Sequence, residues 1–248
     1  MNESDSESRF PRGVPRDLPS QTLSIWAKSV INDPSDHHFL RLWQHLEDTE
    51  ETAGLIWRDF LSDNIKDVLV ADLGGRAQAR TLYRFLAAVH DVGKASPAFE
   101  VQRDWLADVV RQAGLPIGRD LEHEPGRSAY RHELVGYRTI EAWMGVHGLV
   151  HGDGRSSFAH GLACIVAGHH GSAIDRAKKE ILDKERASEF LGGADWETVR
   201  ESIVDWAMRA TGFDGYVTVM STRPIRKRSQ ILLTGMVIIA DWIASNSS

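Results

Sequence analysis

The segment 88–94, Ala-Val-His-Asp-Val-Gly-Lys, places an imidazole, a carboxylate and an ammonium group within five residues. It ends an apolar run in which the spacing of Leu82 and Leu86 predicts the core-facing stripe of a helix. His90 comes four residues after Leu86 and therefore continues that buried stripe. A buried carboxylate beside a buried imidazole is costly unless a positive group compensates it. The pair His90 and Asp91 therefore predicts a metal site.

Asp241 is a second carboxylate in an apolar setting. It is the only ionisable side chain between Arg228 and Ser248, and it lies within the apolar segment 238–243. An uncompensated carboxylate there would be expensive. Either an arginine pairs with Asp241 or the carboxylate binds a metal ion.

Four further histidines lie in similar settings. His45 lies on the edge of an apolar stripe, and His132 opens a predicted helix in which Gly136 would permit close approach of a neighbour. His169 and His170 each follow an apolar residue by four positions and extend a core-facing surface. One histidine on an apolar face is usually a hydrogen-bonded core residue. The joint occurrence of these residues with His90, Asp91 and Asp241 is hard to explain by packing alone.

Apolar periodicity predicts helices that would position these side chains. The stripe over 42–60 includes Leu42, Leu46, Ile56 and Phe60. No βαβ alternation or repeat is visible, so we predict an all-α domain over residues 21–248, preceded by a mobile leader over 1–20. Further helices are predicted at 65–71, before 93, and at 97–112, 130–147, 158–168, 196–210 and 227–245, with a charged surface segment at 173–190, a loop at 114–126 and a short strand at 215–220.

Composition excludes several classes of protein. Cys164 is the single cysteine among 248 residues, which excludes an internal disulfide and a thiolate-rich zinc site and fits a reducing cytoplasm. Residues 1–8 are polar and acidic, unlike a signal peptide. The longest apolar stretch, 231–244, is interrupted by Asp241 and is too short to span a bilayer, so we expect no membrane association. The net charge of −6 gives no global attraction to nucleic acid.

The residues in this order resemble the HD metal-dependent phosphohydrolase superfamily. More closely, the segments 42–49, 90–99, 168–171 and 240–246 are similar to the N-terminal HD nuclease domain of the CRISPR-associated helicase–nuclease of type I systems, and 26–29 is similar to its opening segment. The resemblance covers about residues 22–248 and implies an HD-domain helical bundle with the metal site in its core and at most a minor β element. No phosphate-binding loop of a helicase occurs in the chain. We expect a nuclease domain cut from a longer chain or a stand-alone nuclease subunit, and the end after an apolar helix favours the former.

The resemblance also implies a chemistry. It implies two divalent transition-metal ions, with Asp91 as the ligand that bridges them, and hydrolysis of single-stranded DNA displaced by a CRISPR effector complex, with a helicase in cis or as a separate subunit. Imidazole and carboxylate ligation suits iron, manganese, cobalt or nickel more than a structural zinc. The implied ligands are His45, His90, Asp91 and Asp241 for one ion, and Asp91, His132, His169 and His170 for the other.

Other polar residues are candidates for substrate contact. Lys94 lies four residues after His90, so its ammonium would point at the metal site and contact the scissile phosphate; the alternative is a solvated lysine past a helix end. Ser245 lies one helical turn after Asp241 and could contact the substrate or a ligand; the alternative is an ordinary helix-end hydroxyl. The basic cluster is predicted either to contact a DNA strand or to be ordinary solvated surface. It comprises Arg223, Arg226, Lys227 and Arg228.

Two other functions remain open from the sequence. Another HD phosphohydrolase could hydrolyse nucleotides or cyclic nucleotides with the same ligands. A non-catalytic docking module could keep a metal for stability. The helical tryptophans are predicted to be core residues rather than base-stacking platforms. They are Trp43, Trp57, Trp143, Trp206 and Trp242.

Overall fold

The computed structural model describes residues 14–29, 38–151 and 156–246, which form a helical bundle with one small hairpin. The two strands are antiparallel, with Trp26 opposite Arg41 and Ser29 opposite Phe39. The predicted all-α class with a minor β element is therefore confirmed.

The described helices are α1 (Ser20–Ser24), α2 (Leu42–Leu55), α3 (Asp63–Leu73), α4 (Arg76–Val89), α5 (Pro97–Glu100), α6 (Asp104–Gln112), α7 (His132–Val146), α8 (Phe158–Gly168), α9 (Arg176–Ile181), α10 (Ala187–Leu191), α11 (Ala194–Thr211), α12 (Asp214–Met220) and α13 (Lys227–Asn246). The strands are β1 (Trp26–Ser29) and β2 (Phe39–Arg41). Turns of 3₁₀ helix cover Val92–Lys94, Leu121–His123 and Arg127–Ala129, and a π-helical turn, Ile56–Phe60, extends α2.

Helix α4 forms the centre of the bundle. Its last five residues, from Phe85 to Val89, are at most 2% exposed, so this end of the helix is buried all round. It packs against α2, α3, α8, α11 and α13. The Tyr83 hydroxyl also donates to the Met236 carbonyl of α13 at 3.0 Å. The residues that follow α4 therefore start from the middle of the core.

Two predicted elements differ from the structure. The strand predicted at 215–220 is wrong, because this segment is helix α12, which buries Val217 and Met220 at helical spacing. The chain reverses before it at Gly212, which adopts a left-handed φ of 70°. The helix predicted at 97–112 is divided into α5 and α6, because Arg103 is extended and its guanidinium is bonded to Ser29 of the hairpin.

Two aromatic residues predicted in the core lie on the surface. Phe60 is 82% exposed, because the π-helical turn shifts the end of the apolar stripe away from the core. Trp242 is 67% exposed, so the prediction that it is buried is wrong, since it lies on the outward face of α13. The other four helical tryptophans are buried as predicted.

The peripheral segments differ in how deeply they are buried. Helix α9 has no buried residue, as expected for the charged surface segment predicted at 173–190, but Leu182, Ala187 and Phe190 are buried, so the prediction is wrong for the second half of that segment. Residues 1–13 of the predicted leader lie outside the described residues, whereas Leu18 within it is buried against the core. None of the described helices is both long and apolar enough to cross a membrane.

Candidate metal centre

The end of α4 positions the first candidate ligands. His90 continues the helical backbone after Val89, and Asp91 turns the chain into a 3₁₀ turn over Val92–Lys94. The side chains of His90 and Asp91 are at most 3% exposed. The turn is closed by the Lys94 amide, which donates to the Asp91 carbonyl at 2.9 Å. The tight turn therefore presents an imidazole, a carboxylate and an ammonium group from one point in the core.

Gly93 allows this turn to lie directly against the start of α7. A Cβ atom at Gly93 would lie 1.9 Å from the His132 carbonyl oxygen and 2.5 Å from the Gly136 nitrogen. No side chain fits there. The close approach predicted for Gly136 is confirmed, and it brings the His132 imidazole to the Asp91 carboxylate.

The first group of donor atoms surrounds one oxygen of Asp91. The Asp91 Oδ2 atom lies 3.0 Å from Nε2 of His45 and 3.4 Å from Nε2 of His90. The Asp241 Oδ1 atom lies 3.3 Å and 3.6 Å from the same two nitrogens. Residues from α2, α13 and the end of α4 thus meet, although Asp241 is 150 residues distant from Asp91 in sequence.

The second group surrounds the other oxygen of Asp91. The Asp91 Oδ1 atom lies 3.2 Å from Nε2 of both His132 and His169. The His170 Nε2 atom lies 3.0 Å from Nε2 of His132. The first turn of α7 and the end of α8 supply these three imidazoles. All the predicted metal ligands therefore fall into two adjoining clusters, with Asp91 between them.

The protonation of the rings indicates that these clusters fit metal ions. The Nδ1 atom of His90 lies 2.8 Å from the Ala87 carbonyl oxygen, and that of His169 lies 2.6 Å from the Val166 carbonyl oxygen. A carbonyl only accepts, so each Nδ1 carries the proton and the Nε2 of a neutral ring presents a lone pair. Both Nε2 atoms and Asp91 Oδ1 are buried without a hydrogen bond of good geometry.

A lone pair that faces a carboxylate is repelled unless a positive charge lies between them, which for His90 is a proton below its raised pKa or a metal ion in place of that proton. The separations of 3.0–3.6 Å between these donors are similar to the roughly 3.0–3.5 Å expected between neighbouring atoms that each lie about 2.1 Å from one ion. The residues therefore fit a metal.

The electrostatics of the site favour added positive charge. Burial lowers the pKa of His90, but the carboxylates of Asp91 and Asp241 raise it more, to about 9. Burial opposes ionisation of Asp91, yet Lys94 and the neighbouring imidazoles hold the pKa of that carboxyl well below its usual range. Burial and the nearby His169 lower the pKa of His170 to about 4. Asp91 is therefore an anion and His170 a neutral ring at neutral pH, which are the forms that bind metals.

Two lysines and a serine lie beside the carboxylates. The Lys94 Nζ atom lies 2.6 Å from Asp91 Oδ2, so Lys94 faces the site as predicted. The Ser245 hydroxyl donates to Asp241 Oδ1 at 2.9 Å. Lys28 of β1 also contacts Ser245, and its Nζ lies 3.8 Å from Asp241 Oδ1. Lys28 was not among the site residues predicted from the sequence. The feature that could have identified it is its position in the segment 26–29, which is similar to the opening segment of the family.

The basic cluster has an internal counterion. The Arg228 guanidinium makes two bonds to Asp72 of α3, at 2.9 and 2.5 Å, and Arg226 lies 3.3 Å from the same carboxylate. Arg228 and Ser229 hold the pKa of Asp72 at about 2. Arg228 lies in the first turn of α13 and Arg226 directly precedes the helix, about 20 Å from Asp241 along the helix axis at about 1.5 Å per residue. Asp72 therefore offsets positive charge at this helix start, and Arg223 and Lys227 are the exposed remainder of the cluster.

Comparisons with known proteins agree with this arrangement. The family described as Cas3, HD domain, matches residues 26–248. The chain is 30% identical over 243 residues to the CRISPR-associated nuclease/helicase Cas3 of Streptococcus thermophilus, covering 90% of this chain and 24% of that protein. The chain thus spans about a quarter of the length of the curated relatives that it matches.

Solved structures share the fold. The crystal structure of a CRISPR-associated protein matches with a TM-score of 0.71 at 29% identity, over 92% of this chain and 24% of that one. The crystal structure of the Thermus thermophilus cas3 HD domain in the presence of Ni²⁺ matches with a TM-score of 0.58 at 22% identity, over 91% of this chain and 77% of that one. The family match includes every residue of the two donor clusters, and this chain therefore belongs to the Cas3 HD domain family.

Proposed function

We propose that this chain is a metal-dependent nuclease that hydrolyses phosphodiester bonds of single-stranded DNA. The observation that carries the proposal is the orientation of the Asp91 carboxylate, whose two oxygens face two different groups of imidazoles. A carboxylate in that position can hold two ions side by side, which a single imidazole nitrogen cannot do.

The two clusters define how the ions would be held. The lack of thiolates favours manganese, iron, cobalt or nickel. Two such ions, when bound, supply an activated water and stabilise the charge that develops on a phosphoryl group. One ion would be held by His45, His90, Asp91 and Asp241, and the other by Asp91, His132, His169 and His170.

The remaining polar residues would position the strand. We assign Lys94 a catalytic role, because its ammonium group lies at Asp91 Oδ2 and would donate to an oxygen of the scissile phosphate. The Ser245 hydroxyl, bonded to Asp241, lies where it could contact the substrate. Arg223 and Lys227 are the members of the basic cluster that we expect to contact a strand, since Arg226 and Arg228 pair with Asp72.

We propose that a helicase, in cis or as a separate subunit, delivers the strand after a CRISPR effector complex has opened the duplex. The curated relatives bear the name nuclease/helicase, and this chain corresponds to about a quarter of them. The outward face of α13, which exposes Ile231, Ile239 and Trp242, supports a protein partner. A cytoplasmic location is consistent with the free thiol of Cys164.

The test is hydrolysis of a single-stranded oligonucleotide by protein loaded with manganese, nickel or cobalt. We expect cleavage by the wild type and a loss of more than about 100-fold in Asp91→Ala, because both clusters lose an oxygen ligand. Asp183→Ala, which removes a carboxylate that is 76% exposed, is the matched control and should cleave normally. Undiminished cleavage by Asp91→Ala, or turnover of free nucleotides but no oligonucleotide, would overturn the assignment.

A further inference from the structure

Lys28 lies at the rim of the metal centre, on the side of Asp241. Its Nζ atom lies 3.8 Å from Asp241 Oδ1 and contacts the Ser245 hydroxyl. Its side chain is 34% exposed, whereas the side chain of Lys94, which pairs with Asp91, is 9% exposed. One ammonium group therefore lies beside each carboxylate, and that of Lys28 is the more accessible to a ligand from solvent.

The hairpin fixes the position of Lys28. Trp26 and Ala27 of the same strand are buried, and the Trp26 ring packs on Phe99 with ring centroids 4.6 Å apart. At the other end of the strand, the Ser29 hydroxyl accepts a bond from Arg103. The backbone on both sides of Lys28 is thus held against the bundle, so the side chain reaches Asp241 and Ser245 from a fixed base.

Coordination of a divalent ion by Asp241 would change the balance of charge around Lys28. The Asp241 carboxylate also faces His45 and accepts a bond from Ser245, so it does not depend on Lys28 alone. With an ion bound to Asp241, the ammonium would face a charge of its own sign. An anion beside the ion would relieve that repulsion, and a phosphate group has the charge and the acceptor oxygens for it.

We propose that Lys28 is a substrate-binding residue whose ammonium group contacts a backbone phosphate of the nucleic acid strand next to the metal centre. This inference rests on the proposed function and adds a contact on the Asp241 side of the site. A partly exposed lysine that only tied the hairpin to α13 would contribute little to stability. Its position between a metal ligand and solvent instead suits recognition of an incoming anion.

The experiment measures binding of a fluorescent single-stranded phosphorothioate oligonucleotide, which resists hydrolysis, to manganese-loaded protein over a series of salt concentrations. Lys28→Met should bind about tenfold more weakly at low salt, since it loses one charge-assisted contact. The slope of log affinity against log salt should become shallower by about 0.7, the value for one phosphate contact with a single strand. Lys28→Arg should retain most of the affinity and the slope.

The matched control is Lys178→Met, which removes an exposed lysine of α9 and should behave as the wild type. An unchanged slope in Lys28→Met, or an equal change in Lys178→Met, would overturn the proposal. So would a Lys28→Met protein that contains less manganese and regains full affinity when manganese is saturating, because Lys28 would then only support Asp241. Changed binding without hydrolysis of an ordinary oligonucleotide would reject the nuclease proposal alone, whereas hydrolysis with unchanged binding would reject only the role of Lys28.

Discussion

Asp91 is the residue on which both donor clusters depend. Its Oδ2 atom faces His45 and His90, and its Oδ1 atom faces His132 and His169. Among the imidazoles that the structure describes, Asp241 contacts only those of the first cluster. The two carboxylates should therefore have different effects on metal content.

We expect Asp241→Asn to lower the manganese content from about two ions per chain to about one, because a neutral amide is a weaker ligand for one cluster only. Asp91→Asn should lose both ions. Elemental analysis of protein equilibrated with manganese checks the stoichiometry, with Asp183→Asn as a control that should bind as the wild type. Equal losses in Asp241→Asn and Asp91→Asn would contradict the division of the ligands.

At the scale of single residues, types and contexts were enough to predict the clustered histidines and aspartates, because imidazoles and carboxylates in apolar stripes need an explanation. Lys28 could not be predicted in this way, since a lysine in a short strand is ordinary. Trp242 was predicted to be buried because it lies in an apolar run, and the sequence does not reveal that its face of α13 points outward. Local sequence therefore identifies costly groups better than it identifies contacts between distant segments.

At the scale of elements, the site depends on how closely α7 approaches the turn after α4. The Gly93 backbone lies against the first turn of α7. That approach brings His132 within 3.2 Å of Asp91. Position 93 requires glycine because a Cβ atom there would clash with backbone atoms of α7. Backbone conformation is not the reason, since the φ of Gly93 is not in the left-handed region.

We expect Gly93→Ala to destabilise the fold by about 3 kcal/mol, because the added methyl group must push two backbones apart. Its affinity for manganese should also fall, since His132 moves away from Asp91. Thermal unfolding and a manganese titration measure the two effects. Gly145→Ala, in α7 and with open space around the new Cβ, is the control and should be neutral or stabilising by up to about 1 kcal/mol. A Gly93→Ala protein with the stability and affinity of the wild type would contradict the role of this contact.

Periodicity was sufficient for the long helices but not for their junctions. Helices α4, α7, α8, α11 and α13 lie where apolar spacing predicts them, because each buries a continuous stripe. The segment 215–220 was misjudged because a short apolar run fits a strand and a helix alike. The counterion of Arg228 could not be predicted from the sequence either, since Asp72 is 156 residues away in sequence and pairs with it only in the folded chain.

At the scale of the whole molecule, one central helix determines the site. α4 is surrounded by α2, α8 and α13, each of which delivers at least one donor to the residues at its end. This arrangement leaves α13 with two different faces. One face carries Asp241 and Ser245 to the metal centre, and the other exposes Ile231, Ile239 and Trp242 by 72%, 51% and 67%.

These three exposed residues lie on one side of the helix, since offsets of eight and three positions keep them within about 80° of one another. Large apolar side chains grouped on an accessible helix face are typical of a surface that contacts another protein. The helicase part of the relatives is the partner that we expect there, because the relatives are several times longer than this chain and are named for both activities.

We therefore expect the double substitution Ile239→Glu and Trp242→Glu to weaken binding of this chain to the helicase of its own system by more than about tenfold, because two charges would have to be buried in the contact. Manganese content and cleavage of a free oligonucleotide should stay unchanged, since neither side chain is among the metal ligands. Titration of the purified helicase, followed by calorimetry, measures the affinity. Val146→Glu, at a residue of α7 that is 77% exposed, is the matched control and should bind as the wild type. Wild-type affinity in the double variant would place the helicase on another face, and an equal loss in Val146→Glu would show that the added charge acts without regard to position.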